Sequence, residues 1–192
     1  MSSMNEEQDQ VLVRRTLRGD RKAFEMIVRK YQQPLLNYVG RMVGEREVAL
    51  DFTQDVFIRA YTSLRSFDPR FKFSTWLFRI ASNLIIDHWR KKKLPTFSLS
   101  EPLGQDGDRL TLDVPDDEPA VGRKFELAEL RQRIEAALER LPGPLRELFV
   151  WRHVNELSYE EMAEIKGLPL GTIKNRVFQA KEMVRRILQE MS

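Results

Sequence analysis

The sequence predicts an all-α protein of two small helical domains, an N-terminal helical bundle and a C-terminal helix-turn-helix bundle, joined by a flexible acidic linker. Apolar residues recur at the 3.6-residue period of a half-buried helix in nearly every patterned segment, and no stretch alternates as a strand does. The period collapses between residues 94 and 122, where Pro95, Pro102, Pro115, Pro119, Gly104, Gly107 and the run Asp116-Asp117-Glu118 favour an open chain. Charge divides at the same places. Residues 1–93 carry 18 Lys/Arg against 11 Asp/Glu, residues 94–122 carry 1 against 7, and residues 123–192 carry 13 against 11. Cations gathered in the patterned segments suit a polyanionic partner, although surface Lys and Arg are also ordinary solubilising residues.

The elements follow in order. Asp20 is a natural cap for a helix whose Ala23, Phe24, Ile27, Val28 and Tyr31 share one face. Gln33-Pro34 predicts a break or kink, because proline disfavours helical geometry in the residue before it. Leu35, Leu36, Val39, Met42 and Val43 resume the stripe, which ends near Gly44. A third helix is expected from about Glu47 to Leu64, with Phe52, Val56, Ala60 and Leu64 inward. A fourth starts with Ser74 as its cap and carries Trp76, Leu77, Ile80, Ala81, Leu84, Ile85 and His88. Beyond the linker, Leu127, Leu130, Ile134, Leu138 and Leu141 form a stripe that stops at Pro142-Gly143. Pro144 suits the first turn of the next helix, whose core side holds Leu145, Leu148, Phe149 and His153.

Composition removes several function classes. The 192 residues contain no cysteine, so there is no disulfide framework, thiol nucleophile or Cys-based zinc site. The polar, acidic start lacks the apolar stretch of a signal peptide, and no apolar run nears the ~20 residues of a membrane span. The expectation is a soluble cytoplasmic protein, with no metal and no cofactor. Asp87-His88 is the nearest approach to an acid–base or metal pair. The other histidine, His153, falls in the other domain on an apolar face, so an enzyme is the weakest reading.

Two stretches bear nucleic-acid chemistry. Ser158 and Glu161 have the spacing of a capping box, Ala163 allows close helix approach, Gly167 suits a left-handed helix end, and Pro169 opens a new first turn. With Ile173 and Val177 inward, Thr172, Lys174, Asn175, Arg176, Phe178, Gln179 and Lys181 spread over the other faces of the second helix. An α-helix fits the major groove, where Arg or Lys bonds guanine and Asn or Gln bonds adenine. A helical hairpin with a solvated charged face shares much of this pattern.

The other stretch clusters Phe67, Phe71, Phe73 and Trp76 with Arg65, Arg70 and Lys72 at the entry to the fourth helix. Aromatics there can stack on unpaired bases at roughly 1–3 kcal/mol each while the cations hold phosphates. A core role for Trp76 and Phe73 fits equally well. Arg79 and Asn83 lie one helical turn apart, with Asp87 and Arg90 continuing that face to the basic end Arg90-Lys91-Lys92-Lys93. The third helix adds Asp51, Gln54, Asp55 and Arg59 beside Phe57 and Ile58, a face suited to docking on a partner helix.

These residues identify a family. Asp51-Phe52-Thr53-Gln54-Asp55-Val56-Phe57-Ile58-Arg59-Ala60-Tyr61 and Phe73-Ser74-Thr75-Trp76-Leu77-Phe78-Arg79-Ile80-Ala81-Ser82-Asn83 resemble the second conserved region of extracytoplasmic-function (group IV) sigma factors of the sigma-70 family. Leu141-Pro142, Leu157-Ser158-Tyr159-Glu160-Glu161-Met162-Ala163 and Leu170-Gly171-Thr172-Ile173-Lys174-Asn175-Arg176 resemble their fourth region. The resemblance implies a non-enzymatic subunit that binds core RNA polymerase and directs it to promoters. It implies that Asp51, Gln54, Asp55 and Arg59 face the clamp helices of the largest subunit, and that the C-terminal domain meets the flap of the second largest. Phe67, Arg70, Phe71, Lys72, Phe73, Ser74, Trp76, Arg79 and Asn83 would recognise and open the −10 element. Thr172, Lys174, Asn175, Arg176, Phe178, Gln179 and Lys181 would read the −35 duplex, Gln179 standing where relatives often carry a basic residue. The linker would thread toward the RNA exit path, and an anti-sigma factor is the usual inhibitor. An operator-binding helix-turn-helix regulator is the competing reading, but it leaves the third helix and the aromatic loop without a role.

Overall fold

Local caps and buried stripes decide where the helices begin and end. The computed structural model describes residues 2–93 and 121–191, with side-chain environments for 7–91 and 127–191. Its helices are α1 (Ser2–Leu17), α2 (Arg21–Val43), α3 (Arg46–Ser63), a 3-10 turn (Leu64–Ser66), α4 (Phe73–Lys93), α5 (Val121–Glu139), α6 (Gly143–His153), α7 (Tyr159–Lys166) and α8 (Leu170–Glu190). The described residues form no strand, so the all-α expectation holds. The expected linker lies outside the described residues, except for Val121 and Gly122, which already belong to α5.

Asp20 caps α2 as expected: its side chain accepts from the Ala23 amide, and Gly44 ends the helix at φ 86°. Of the break or kink predicted at Pro34, the break does not occur. Helix α2 runs through it, because Tyr31, Leu35, Tyr38 and Val39 are all buried on one face and their burial outweighs one forgone backbone bond. Helix α4 begins at Phe73 rather than after a Ser74 cap, its first turn closed by the Trp76 amide on the Lys72 carbonyl at 3.2 Å. The periodicity also passed over α1. Its Leu12 and Val13 are buried, and Asp9, 3% exposed, accepts from Tyr31 at 2.5 Å and Lys30 at 2.5 Å. That pair fastens α1 across α2.

Two stripes hold in part: Ile134, Leu138 and Leu141, and Leu145, Leu148 and Phe149, face the core as expected, but three of their other members do not. Leu127 and Leu130 of α5 are exposed, whereas Ala137, Leu138 and Leu141 are buried. His153 lies at the surface, its ring against Phe149 at 4.5 Å, and not in the core. Helix α6 buries Leu148 as expected and adds Val150 and Trp151, which the stripe did not include.

The N-terminal helices pack around Ile27, Leu35, Val56, Leu77 and Ile85, and the C-terminal ones around Leu148, Met162, Ile173 and Val177. The two groups meet. Tyr38 of α2 and Trp151 of α6, both fully buried, lie 5.6 Å apart between ring centroids, and Phe78 of α4 lies 5.6 Å from Tyr38. Helix α7 runs against α4, and α6 against α2. One hydrophobic core therefore continues across the seam between the helical groups.

Candidate nucleic-acid interface

The N-terminal candidate residues surround the loop that leads from the 3-10 turn into α4. Here Phe67, Phe73 and Trp76 form a triangle with ring centroids 5.5, 5.5 and 5.6 Å apart, and Tyr31 joins it 5.7 Å from Phe73. Phe67 is 8% exposed and Phe73 only 2%. The expectation that Phe67 presents a face for stacking is corrected, and of the two readings open for Phe73 the core one holds. Phe73 removes a large apolar area from water by closing over Tyr31, Phe67 does so by packing on Phe73 and Trp76, and the pair anchors the loop from beneath. Trp76 is half-buried on the same cluster, and Phe71, at 45% exposed, is the aromatic that the loop holds out to solvent.

The loop is held at three points. The Phe71 amide donates to the Asp68 carbonyl at 3.1 Å, the Arg70 amide donates to Asp68 Oδ1 at 3.0 Å, and Gln10 Nε2 of α1 donates to the Pro69 carbonyl at 2.8 Å. The Arg70 guanidinium also folds onto Asp68 Oδ2 at 2.5 Å. That contact holds the exposed Asp68 carboxyl below the usual range and raises Arg70. Part of Arg70's charge is thus engaged locally.

Along α4, Ser74 is half-buried and Asn83 is exposed. The Arg79 guanidinium crosses the seam, reaching the Glu164 carbonyl at 3.3 Å and its carboxylate at 3.2 Å. Lys72 Nζ lies 3.3 Å from Glu161 Oε1. Asp87 pairs loosely with Arg90 at 3.6 Å, and His88 meets the edge of Phe52 at 5.1 Å, so the two do not form an acid–base couple.

Helix α3 offers Asp51, Gln54, Asp55 and Arg59, all exposed, with Ile58 at 60%. Phe57, expected beside Ile58 on this face, is instead buried at 8%, because it continues the Thr53–Val56–Ala60 side of the helix. Leu50 and Tyr61 take its place at 38% and 48% exposed. Sequence reasoning missed both, although Leu50, Gln54, Ile58 and Tyr61 have the spacing of a single helical face.

The C-terminal motif folds as its residues dictate. Ser158 Oγ accepts from the Glu161 amide at 3.1 Å, and Glu161 Oε2 accepts from the Ser158 amide at 2.6 Å, which completes the capping box. Gly167 closes α7 at φ 62°, a conformation that favours glycine, and Pro169 starts α8 by accepting from Thr172 at 2.9 Å. Ile173, Val177, Ala180 and Val184 point inward. Lys174, Asn175, Phe178, Gln179 and Lys181 are exposed, Phe178 at 62%, while Thr172 and Arg176 are half-buried. A free polar helix face held by a capped first helix is the geometry of a major-groove reader. Beside it, burial and then the charges of Arg152 and Lys181 hold the His153 imidazole below its ordinary value. No described helix is long and apolar enough to cross a membrane, and no described cluster of three or more His, Asp or Glu could hold a metal.

Comparison with known proteins gives one consistent set. A family model described as sigma-70 region 2 matches residues 27–94, and one described as sigma-70, region 4 matches residues 131–184. The RNA polymerase sigma-H factor of Pseudomonas aeruginosa is 34% identical, covering 98% of this chain and 97% of its own. SigW of Bacillus subtilis is 35% identical over 93% of this chain and 96% of its own, and the sigma-E factor of Escherichia coli K12 is 34% identical over 95% of each. Among solved structures, CnrH in complex with the cytosolic domain of CnrY shares the fold at a TM-score of 0.70 and 24% identity, over 96% of this chain and 99% of that one. RpoE of Bartonella quintana, in complex with the anti-sigma factor NepR, does so at 0.66 and 22%, over 88% of this chain and 98% of that one.

Proposed function

The chain belongs to the extracytoplasmic-function sigma factors of the sigma-70 family, polymerase-associated subunits that direct promoter-specific transcription initiation, and on that premise we propose how its two domains divide the task. Residues 1–93 bind core polymerase and open the −10 element, residues 123–192 read the −35 duplex, and residues 94–122 connect them. The observation that supports this most is chemical asymmetry. The N-terminal face combines an exposed aromatic and an amide, Phe71 and Asn83, with cations, whereas α8 offers a regular polar helix face. Aromatics suit bases that have left the stack, and a polar helix suits paired bases in the groove.

Phe71, Trp76 and Asn83 receive an unpaired −10 base, with Arg70, Lys72, Ser74 and Arg79 on the neighbouring backbone, while Phe67 and Phe73 hold the loop in shape. Lys174, Asn175, Phe178, Gln179 and Lys181 face the −35 major groove, flanked by Thr172 and Arg176. Asp51, Gln54, Asp55 and Arg59, with Leu50, Ile58 and Tyr61, dock on the clamp helices of the largest polymerase subunit, and the C-terminal domain docks on the flap of the second largest. Opening is driven by binding energy, with no covalent step and no cofactor. An anti-sigma factor is the expected protein inhibitor. The operator-binding alternative is not favoured, since relatives match both domains over nearly the whole chain.

Separated readouts test the division. Asn83→Ala and Trp76→Ala should reduce permanganate-detected opening of the −10 element while leaving capture of core polymerase intact. Charge reversal at Asp51 and Asp55 should weaken capture first. The reverse ranking overturns the assignment.

A further inference from the structure

Helix α1 grips the aromatic loop through two consecutive residues. Asp9 points into the core, where its Oδ1 accepts from Lys30 of α2 at 2.5 Å and its Oδ2 accepts from the Tyr31 hydroxyl at 2.5 Å. The Tyr31 ring in turn carries Phe73, the buried base of the loop, 5.7 Å away between centroids. Gln10 lies about 100° further round the helix and donates to the Pro69 carbonyl at the loop's rim at 2.8 Å. One helix thus reaches the loop at base and rim, and it packs on the 3-10 turn and α4 as well as on α2.

A carboxylate is a costly choice for the first of these places. Asp9 is 3% exposed, on a helix that also buries Leu12 and Val13. If α1 served only to cover the core, an apolar side chain of similar volume would do as well as a buried ion pair, or better. What the carboxylate adds is direction. Both its oxygens are taken by partners on α2, which gives α1 one register there. A slip of one residue would move the helix by ~1.5 Å and turn it by about 100°, and Gln10 would lose Pro69. Within the loop, the Phe71 amide bonds the Asp68 carbonyl and the Arg70 amide bonds Asp68 Oδ1. Those bonds close the turn on itself, whereas the Gln10 bond ties its rim to the body of the domain. A loop arranged in advance binds more tightly than a mobile one, because less ordering is left for the binding step.

We propose that Asp9 and Gln10 are positioning residues of the −10 site: Asp9 sets the register of α1 on Lys30 and Tyr31, Gln10 carries that register to the Pro69 carbonyl, and together they hold Phe71 in place before a strand arrives. Both act through the loop and not by contact with the strand. The proposal rests on the promoter role given above to Phe71.

The test uses the full-length chain bound to core polymerase, with a fluorescent −10 non-template single strand as the probe. Gln10→Met keeps the side-chain length and removes the donor. It should weaken strand binding about two- to tenfold, the effect of one hydrogen bond, with capture of core polymerase unchanged. Asp9→Asn should weaken strand binding at least as much. Gln8→Met, exposed on the same helix, should bind as the parent does. Because Asp9 acts through Gln10, the double variant should lose less than the product of the two single losses. Hydrogen exchange of the free chain gives a second readout: the Arg70 and Phe71 amides should exchange faster in Gln10→Met. Parental strand affinity and parental exchange in Gln10→Met overturn the proposal, and so does a double variant that loses the full product. Faster exchange in Gln10→Met, with a parent that captures polymerase yet binds no strand, would uphold the splint and refute the role given to the loop.

Discussion

Removing the Glu147 carboxylate alone should harm the fold far more than removing its whole ion pair. In Glu147→Leu, Lys166 loses its carboxylate partner and Tyr38 and Ser82 lose their acceptor, all at a site where Glu147 is 1% exposed. Breaking a buried pair on one side costs about 3–5 kcal/mol, whereas replacing both partners by apolar groups of similar volume is often neutral or stabilising. For a chain of this size each kcal/mol shifts Tm by about 2–4 °C, so Glu147→Leu should melt about 6–20 °C lower. Glu147→Leu with Lys166→Met should recover part of that loss, the cost of the two hydroxyls left without an acceptor remaining. Urea unfolding followed by far-UV circular dichroism, with parent and variants on one m value, reads the difference. A single variant within about 1 kcal/mol of the parent, or a double variant no better than the single, would refute a dry charged centre.

Other expected outcomes are as direct. Burial first, then the Glu147 charge, pushes the Tyr38 phenol well above its ordinary value. A raised folded-state value means that its stabilising effect is complete below the unfolded value of about 10 and is lost as pH rises through the folded one. Stability should therefore fall on the alkaline side above about pH 10, with a shallower fall in Tyr38→Phe in a pH series of urea midpoints. Ser158→Ala removes one arm of the capping box and should cost about 1 kcal/mol, read by the same unfolding and by weaker −35 duplex binding. Lys174→Ala should lower the slope of log affinity against log salt by about 1 if it holds a phosphate, whereas Asn175→Ala should relax preference at one base pair with the slope unchanged.

Caps and stops were legible because they are local. Asp20, Gly44, Ser158, Glu161 and Gly167 act on neighbours within one or two turns, and all five stand where their chemistry placed them. Apart from the Ser74 cap, which the helix start at Phe73 displaced, what failed depended on distant partners. Pro34 was read as a break or kink because its own geometry disfavours a helix, yet burial of Tyr31, Leu35 and Tyr38 carries the helix past it unbroken. Phe57, Phe67 and Phe73 were offered to partners or bases because period alone does not say which apolar side a neighbouring helix will cover. Helix α1 is amphipathic over a short stretch only, fastened by Asp9 to Tyr31, 22 residues away. The docking of the two domains was not readable at all, since Tyr38 lies 109 residues and Ser82 lies 65 residues from Glu147. Site chemistry was easier to see than site exposure: the candidate residues on α3 and α8 are mostly exposed, while the aromatic loop is largely an anchor with Phe71 held out to solvent.

The central claim is that this chain gives core polymerase its promoter choice by reading two elements at once. The most direct measurement is transcription in vitro from a randomised promoter library by core RNA polymerase with and without the purified chain. Sequencing of the 5′ ends of the transcripts then locates each start. The account predicts transcripts that require the chain, start at defined positions and share two upstream motifs at fixed spacing. Defined footprints by the chain alone on duplex DNA, with no chain-dependent transcripts and no co-purification with polymerase, would contradict it.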